Sequence, residues 1–354
     1  MKVALDGMGG DFAPQSTVQG AVEAVRELEN NLQVLLVGDE KALETELSRH
    51  DYPADRISVV SASKVVKMTD RPTRALKEKR DSSLIRAVEL HSEREAVAVV
   101  SAGHTGAQVA ASIVMLGRIE GVRRPTIGSY FPTENGVVLL VDVGANTDCK
   151  PIHMLQFAAM GSIFVEHFFE RRSARVGLLN IGEEQTKGNQ LAVSTYYLFE
   201  RSGLNFIGNV EGRDIFKGAA DVIVCDGFVG NILLKFAETI YELLLDRFQG
   251  VLDIGLQNEE LRKALRDFQK DFDYAEHGGV PLLGVNGVSI ICHGRSSARA
   301  IKNAIREAVI MVERKIPEAI REGVEQYHAG LFSRGIARLH SYQEWRERHG
   351  RESD

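Results

Sequence analysis

The chain has 354 residues, 44% of them apolar, with 43 Lys+Arg against 49 Asp+Glu for a net charge of −6. That length allows one large or two smaller α/β units with a sizeable core, and an acidic balance without a basic tract disfavours nucleic acid as a partner. No apolar run approaches a membrane span, and Met1 opens almost directly into Val3-Ala-Leu5, which leaves no room for a signal peptide.

Lys2–Asp6 reads as a first strand, followed by Gly7-Met-Gly-Gly-Asp11 with Pro14 and a helix from about Thr17 to Leu28. Glycines at 7, 9 and 10 do not fit the G-x-G-x-x-G dinucleotide turn. Gln33–Val37 and Ile57–Val60 are the next strands, with a helix over Glu40–Arg49 between them. The stretch 69–91 then gathers Arg71, Arg74, Lys77, Lys79, Arg80 and Arg86 in an otherwise acidic chain. It is either a solvated helical face or a docking surface for an acidic partner or a phosphate.

Ala96–Val100 is a buried strand that runs into Ser101-Ala-Gly-His-Thr-Gly106. Thr126–Phe131 and Val137–Val143 flank Glu134-Asn-Gly136, and Asn-Gly between alternating apolar runs signals a hairpin. Its second strand feeds Asp142-Val-Gly-Ala-Asn146, and a helix follows to about Arg171. Val176–Ile181 ends in Gly182-Glu-Glu-Gln-Thr-Lys-Gly-Asn189, with a helix from Gln190 to about Ser202, and Asn205–Val210 is a further strand. Val222–Cys225 leads through the glycine turn Asp226–Gly230 into a helix expected to begin at or just after Asn231, which stands where an N-cap would stand. A helical pair is expected at about 232–250 and 257–272, before a last strand, Gly287–Cys292, and its loop His293–Ser297.

Five strands thus end in small, polar loops: 101–106, 142–150, 182–189, 226–231 and 293–297. In an open parallel sheet, ligands bind outside the carboxyl ends of the strands. The pattern predicts a doubly wound, mostly parallel α/β sandwich with one antiparallel hairpin and a single cleft where the five loops converge. The loops offer backbone N–H groups, amides, hydroxyls and a lysine, but no H-E-x-x-H, C-x-x-C or G-x-S-x-G. Such a site suits a reaction in which the substrate itself attacks while the protein positions it and stabilises negative charge. Cys149, Cys225 and Cys292, odd in number and widely spaced, suit a reducing compartment and three small buried hydrophobes, a thiol nucleophile being the alternative.

Read in order, Met8-Gly-Gly-Asp11 with Pro14, Ser101-Ala-Gly-x-Thr-Gly106, Asp142-Val-Gly-Ala-Asn146, Gly182-x-Glu-x-x-Lys-Gly-Asn189, Asp226-Gly-Phe-x-Gly-Asn231, Gly278-Gly with Leu283-Gly-Val-Asn-Gly287, and His293-Gly294 resemble the PlsX family of bacterial phosphate acyltransferases. The resemblance covers roughly 1–325 as one large α/β domain, with the helical pair over about 232–272 projecting and 326–354 left as a C-terminal helical tail. It implies a three-layer α/β/α sandwich similar to phosphotransacetylases and isopropylmalate dehydrogenases, and a homodimer. It implies transfer of an acyl group from acyl carrier protein to inorganic phosphate, giving acyl phosphate for phospholipid synthesis, without metal or cofactor. The family's catalytic pair falls on Lys187 and Asn231. Around it, the motif loops supply Gly103, His104, Thr105, Gly106, Asn146, Gly188, Asn189, Asp226, Gly227, Gly230 and His293 as candidate substrate and phosphate contacts. Glu183 and Glu184 would repel phosphate, so at least one is expected to face a basic partner or solvent.

The chain departs from the family at position 104, His for the usual Asn, and at position 7, Gly for the frequent Ala. Two rival readings compete. A nicotinamide-dependent dehydrogenase of the isopropylmalate type would need metal-binding aspartates at helical spacing and an adenosine loop, and neither is found. A non-catalytic module that docks acyl carrier protein would use the basic patch but leave Lys187 and Asn231 without a purpose. Finally, Leu261, Leu265, Phe268 and Phe272 form an apolar stripe whose flanking charges, five acidic against four basic over 259–273, give no pull toward anionic lipid. The expectation is a cytoplasmic chain whose helical pair mainly makes a dimer interface, with weak, salt-insensitive peripheral membrane contact.

Overall fold

A computed structural model of the chain describes residues 1–28, 31–134, 136–253 and 278–324. One eleven-stranded sheet runs through them in the order β3-β2-β1-β4-β11-β10-β5-β6-β9-β7-β8. Its strands are β1 (Lys2–Asp6), β2 (Gln33–Gly38), β3 (Ile57–Ser61), β4 (Ala98–Ser101), β5 (Thr126–Thr133), β6 (Gly136–Val141), β7 (Val176–Asn180), β8 (Phe206–Glu211), β9 (Val222–Val224), β10 (Val280–Leu283) and β11 (Val288–Ile291). The helices among the described residues include α1 (Gln15–Glu27), α2 (Glu40–Leu47), α3 (Pro72–Glu78), α4 (Ser83–Ser92), α5 (Thr105–Met115), α6 (Pro151–Phe168), α7 (Gln190–Glu200), α8 (Gly227–Asp253) and α9 (Ala298–Glu313).

The period-2 alternation of the strands decides which helices cover which face. Val3, Leu5, Val34, Leu36, Leu139, Val141, Val222 and Val224 pack with α1, α6 and α9 in one continuous core. The residues between them point the other way. Ala4, Leu35, Val37 and Val99 meet α4 and α5, and Val138, Leu140 and Ile223 meet α5 and α8. Three layers, helix on sheet on helix, follow from buried strands that are apolar on both sides.

The predicted hairpin is present, with β5 and β6 paired antiparallel from Gly128–Val141 to Thr133–Gly136. Strand β10 was not foreseen. Pro281 argues against a strand and the segment is only four residues long. In the structure β10 pairs with β11 through Val280 and Pro281, then with β5 through Leu282 and Leu283. It is the joint of the sheet, and it changes what the five loops can do together.

Strands β1, β2, β3, β4 and β11 are mutually parallel, and so are β6, β7, β8 and β9. Between the two blocks lie three antiparallel pairings, β11–β10, β10–β5 and β5–β6. Three reversals make the blocks run in opposite directions. The single row of carboxyl ends expected from the sequence is therefore two rows. Loops 101–106 and 293–297 belong to the first block, and loops 142–150, 182–189 and 226–231 to the second.

Candidate active site

In the first block a buried aspartate shapes the loops. Asp6, at the end of β1, accepts a hydrogen bond from the Ser101 hydroxyl at 2.7 Å and one from the Met8 N–H at 3.3 Å. Ser101 Oγ in turn accepts from the Gly103 N–H, and the Asp11 N–H donates to the Gly294 carbonyl at 2.7 Å. Loops 7–11, 101–104 and 293–296 are thus bound together. His104 is the N-cap of α5: its Nδ1 accepts from the Ala107 N–H at 3.4 Å, and its Nε2 lies 3.0 Å from the Asp70 carbonyl. An accepting Nδ1 leaves Nε2 as the protonated nitrogen, so the ring donates to Asp70. Thr105 and Gly106 open the helix, Thr105 exposed and Gly106 against Pro72.

The second block repeats the device more heavily. Asp142 is fully buried, and its Oδ1 accepts from the N–H groups of Ile127, Gly144 and Ala145 at 3.1–3.3 Å. Its Oδ2 accepts from the Asn146 amide at 2.7 Å. Burial holds the carboxyl above its ordinary value, an effect these donors offset only in part. Asn146 spends its other amide hydrogen on the Pro125 carbonyl, and its own carbonyl receives the Gly227 N–H at 2.8 Å. Loops 142–146 and 226–231 are therefore one packed unit.

Within that unit the structure corrects the expected start of the helix. Helix α8 begins at Gly227, so Asn231 lies in its second turn and is not the cap. The cap is Asp226, whose Oδ1 accepts from the N–H groups of Phe228 and Val229, both at 3.0 Å. Glycine at 230 had read as part of a turn; it is needed for close approach instead. A Cβ at that position would stand 1.9 Å from the Asp142 carbonyl oxygen. Freed from capping, the exposed Asn231 side chain lies against Gly144, about 3.5 Å from where a Cβ there would be.

Lys187 sits at the carboxyl end of β7, the strand beside β9. Its turn is held by two hydrogen bonds: Asn180 Nδ2 donates to the Lys187 carbonyl at 3.0 Å, and the Lys187 N–H donates to the Glu184 carbonyl. Gly188 has φ +95 and faces the Asn180 side chain, a backbone that only glycine adopts cheaply. Asn189 caps α7 through Ala192 N–H. The Lys187 side chain passes over Gly182 and is exposed. Glu183 is exposed and meets Arg213 at 3.8 Å, and Glu184 is exposed, in line with the expectation that at least one of them faces a basic partner or solvent.

Lys187, Asn231, Asn146, Gly188, Asn189, Asp226, Gly227 and Gly230 are thus brought to one end of the second block. Gly103, His104, Thr105, Gly106 and His293 belong to the first. Helix α8 connects the two sets. Lys235, eight residues past Gly227 and so about 12 Å along the axis, reaches the His293 ring, Nζ to Nε2 at 3.4 Å. Lys235 was not among the candidates. As one polar position in an apolar helical run, it carried no signal that set it apart from an ordinary surface lysine.

Burial pushes the Cys149 thiol up to about 11 and raises those of Cys225 and Cys292 further, so none is primed as a nucleophile at neutral pH. Among the described residues, no group of three or more His, Cys, Asp or Glu side chains could hold a metal ion.

A sequence model described as fatty acid synthesis protein matches residues 1–319. The chain is 50% identical over 328 residues to a phosphate acyltransferase of Desulforamulus reducens, covering 92% of this chain and 98% of that protein. It is also 50% identical over 333 residues to one of Heliobacterium modesticaldum, covering 92% and 98%. The chain belongs to this family.

Solved structures show the fold at much greater sequence distance. A phosphotransacetylase from Staphylococcus aureus superposes with a TM-score of 0.57 at 14% identity, covering 88% of this chain and 94% of that one. A 4-hydroxythreonine-4-phosphate dehydrogenase from Klebsiella pneumoniae gives 0.52 at 10% identity, covering 87% and 98%. One architecture thus hosts acyl transfer and dehydrogenation, so the fold cannot choose between them. Family membership does choose, and the dehydrogenase alternative is not favoured.

Proposed function

We propose that this phosphate acyltransferase family member moves a fatty acyl group from the thioester of an acyl carrier protein to inorganic phosphate, giving an acyl phosphate for phospholipid synthesis. The observation that carries the reading is 50% identity across 92% of the chain to a phosphate acyltransferase. The site chemistry agrees with it. A phosphate oxygen attacks the thioester carbonyl carbon, the carbonyl oxygen gains negative charge, and the C–S bond then breaks. The sulfur leaves as a thiolate and takes a proton from solvent. Lys187 neutralises the phosphate or the developing oxyanion, and Asn231 donates a hydrogen bond to one of them. The nucleophile comes from the substrate, and a thiolate leaves readily enough to need no strong general acid.

The test is incubation of the protein with acyl carrier protein thioester, with and without phosphate, while free thiol is measured. Phosphate-dependent thiol release is expected. Release at the same rate without phosphate, or none with it, overturns the reading.

A homodimer belongs to the same proposal. Along α8, Phe228 and Phe236 are 60% and 64% exposed, and Ile232 and Ile240 continue their row at spacings of four. An apolar row of this kind on a helix beside the site suits a second copy of the chain. The companion stripe Leu261, Leu265, Phe268 and Phe272 lies outside the described residues. Among those described, no helix is long and apolar enough to cross a membrane. Weak peripheral contact with a bilayer is part of the same proposal, and vesicle sedimentation across a salt series measures it.

A further inference from the structure

The stretch from Lys64 to Arg80 folds into a small lobe of its own. Asp70 ties it together, accepting from the Lys67 N–H at 2.7 Å and pairing with Lys79 at 2.6 Å. Lys79 also donates to the Val65 carbonyl, and Lys64 to the Glu78 carbonyl. Beneath, Val66 and Ala75 pack with Leu84, Ile85 and Ala107. The lobe is fixed to the first-block loop by the His104 bond to the Asp70 carbonyl and by Pro72 against Gly106. It therefore stands beside the loop 101–106 on a rigid support.

Its surface is unusual for this protein. Between positions 64 and 80 there are seven cationic side chains against two carboxylates, a local excess of five in a chain whose net charge is −6. The two carboxylates are already engaged, Glu78 with Arg74 and Asp70 with Lys79. Arg71, Lys77 and Arg80 are exposed and have no ion-pair partner among the described residues. Among these cations sits an apolar knob, Met68 at 70% exposure with Val65 at 39%.

We propose that this lobe is the docking surface for the acidic carrier domain that delivers the acyl thioester, a proposal that rests on the acyl-transfer reading above. Free phosphate fits less well. The unpaired cations are spread along and just past α3, and the shallow cavity of about 250 Å³ among them is lined by Asp70 and Glu78 as well as Arg71, Arg74 and Lys79. An acidic protein surface can meet such dispersed cations one charge at a time, while the exposed Met68 beside them offers a flexible apolar contact. Position favours a carrier over a lipid surface. The donor has to present its thioester at the site loops, and the lobe is bonded directly to one of them.

The test compares the wild-type chain with the triple variant Arg71→Glu, Lys77→Glu, Arg80→Glu, and separately with Met68→Ser. KM is measured for an acyl carrier protein thioester, for an acyl thioester of a small thiol, and for phosphate. Electrostatic steering is worth about 10- to 1,000-fold in association, so the triple variant should raise KM for the carrier donor by about tenfold or more and flatten its salt dependence. KM for the small donor and for phosphate should stay put, and turnover of the small donor reports on folding. An unchanged KM for the carrier donor overturns the docking proposal alone. Loss of anionic-vesicle binding with that KM unchanged also overturns it, and assigns the lobe to lipid. A wild-type protein that transfers nothing to phosphate from either donor is the separate failure of the acyl-transfer reading.

Discussion

Each half of the sheet has a buried aspartate at the carboxyl end of a central strand, and the two are used to different degrees. Asp6 in the first half takes donors from one hydroxyl and one backbone N–H, and its loop is tied outward through His104 to the cationic lobe. Asp142 in the second half takes three backbone N–H groups and an amide, and its loop is packed inward against the start of α8. A loop that gives two N–H groups and a side-chain amide to one buried carboxylate has little freedom left. On the proposed reading, work is divided between the halves: the second holds Lys187 and Asn231 on rigid loops, and the first joins the site to the cationic lobe.

The sharpest way to break this division is Lys187→Met. If the second half carries the chemistry, turnover should fall on the order of 10²–10³-fold, roughly 3–4 kcal/mol in the barrier, with the fold intact. A folded variant with near-normal turnover would remove Lys187 from the site.

The joint between the halves supplies a second, pH-dependent test. Glu307 of α9 is buried against Tyr130 of β5, which donates to it at 2.5 Å, and burial lifts its carboxyl to about 8. A carboxyl raised on folding binds its proton more tightly in the folded chain than in the unfolded one. Its contribution is thus fully present below the ordinary value of 4.5 and is lost as pH climbs toward about 8. Denaturant titrations should show stability falling on the order of 3 kcal/mol between about pH 5 and pH 8 from this group, each pH unit being worth about 1.4 kcal/mol. Glu307→Gln should flatten that slope. An identical pH profile in the variant would mean that the joint does not titrate.

The two aspartates can be set against each other directly. Asp142→Ala orphans three backbone donors and an amide, whereas Asp6→Ala orphans two groups. Each buried donor left unmade costs about 1–3 kcal/mol, so the first variant should be the less stable by on the order of 2 kcal/mol. Equal losses would erase the distinction between the halves.

Smaller effects sharpen it further. His104→Asn keeps an acceptor for the α5 cap but gives up the imidazole's reach to Asp70, and activity should stay within about tenfold, or roughly 1.4 kcal/mol. A nearly inactive variant that also loses a limb of the pH–rate profile would make His104 a general base. Asn231→Ala should move stability least, by no more than about 0.5 kcal/mol, because Asp226 and not Asn231 caps the helix. Any fall in its activity then reports chemistry and not folding.

Much of this protein was legible in its sequence because the informative patterns are local. Short, wholly apolar runs such as Leu35–Val37 or Val138–Val141 name strands buried on both faces, Asn-Gly at 135–136 names the hairpin, and the ordered glycine motifs name the family and its candidate residues. Asp39, Asn189 and Ser297 cap their helices because a short polar side chain before a helix has a nearby N–H to accept from. Strand direction is another matter. It depends on which strands pair across long separations, and the reversal of the two halves passes through β10, four residues with a proline that no local rule would make a strand. Glycine is ambiguous in the same way. Gly230 looks like a turn residue in sequence, and only the Asp142 carbonyl packed against it reveals a helix in its second turn, with Asp226 as the cap and Asn231 turned toward Gly144. Composition and period determined the elements; the contacts between distant segments decided which way they run and which side chains are left free to react.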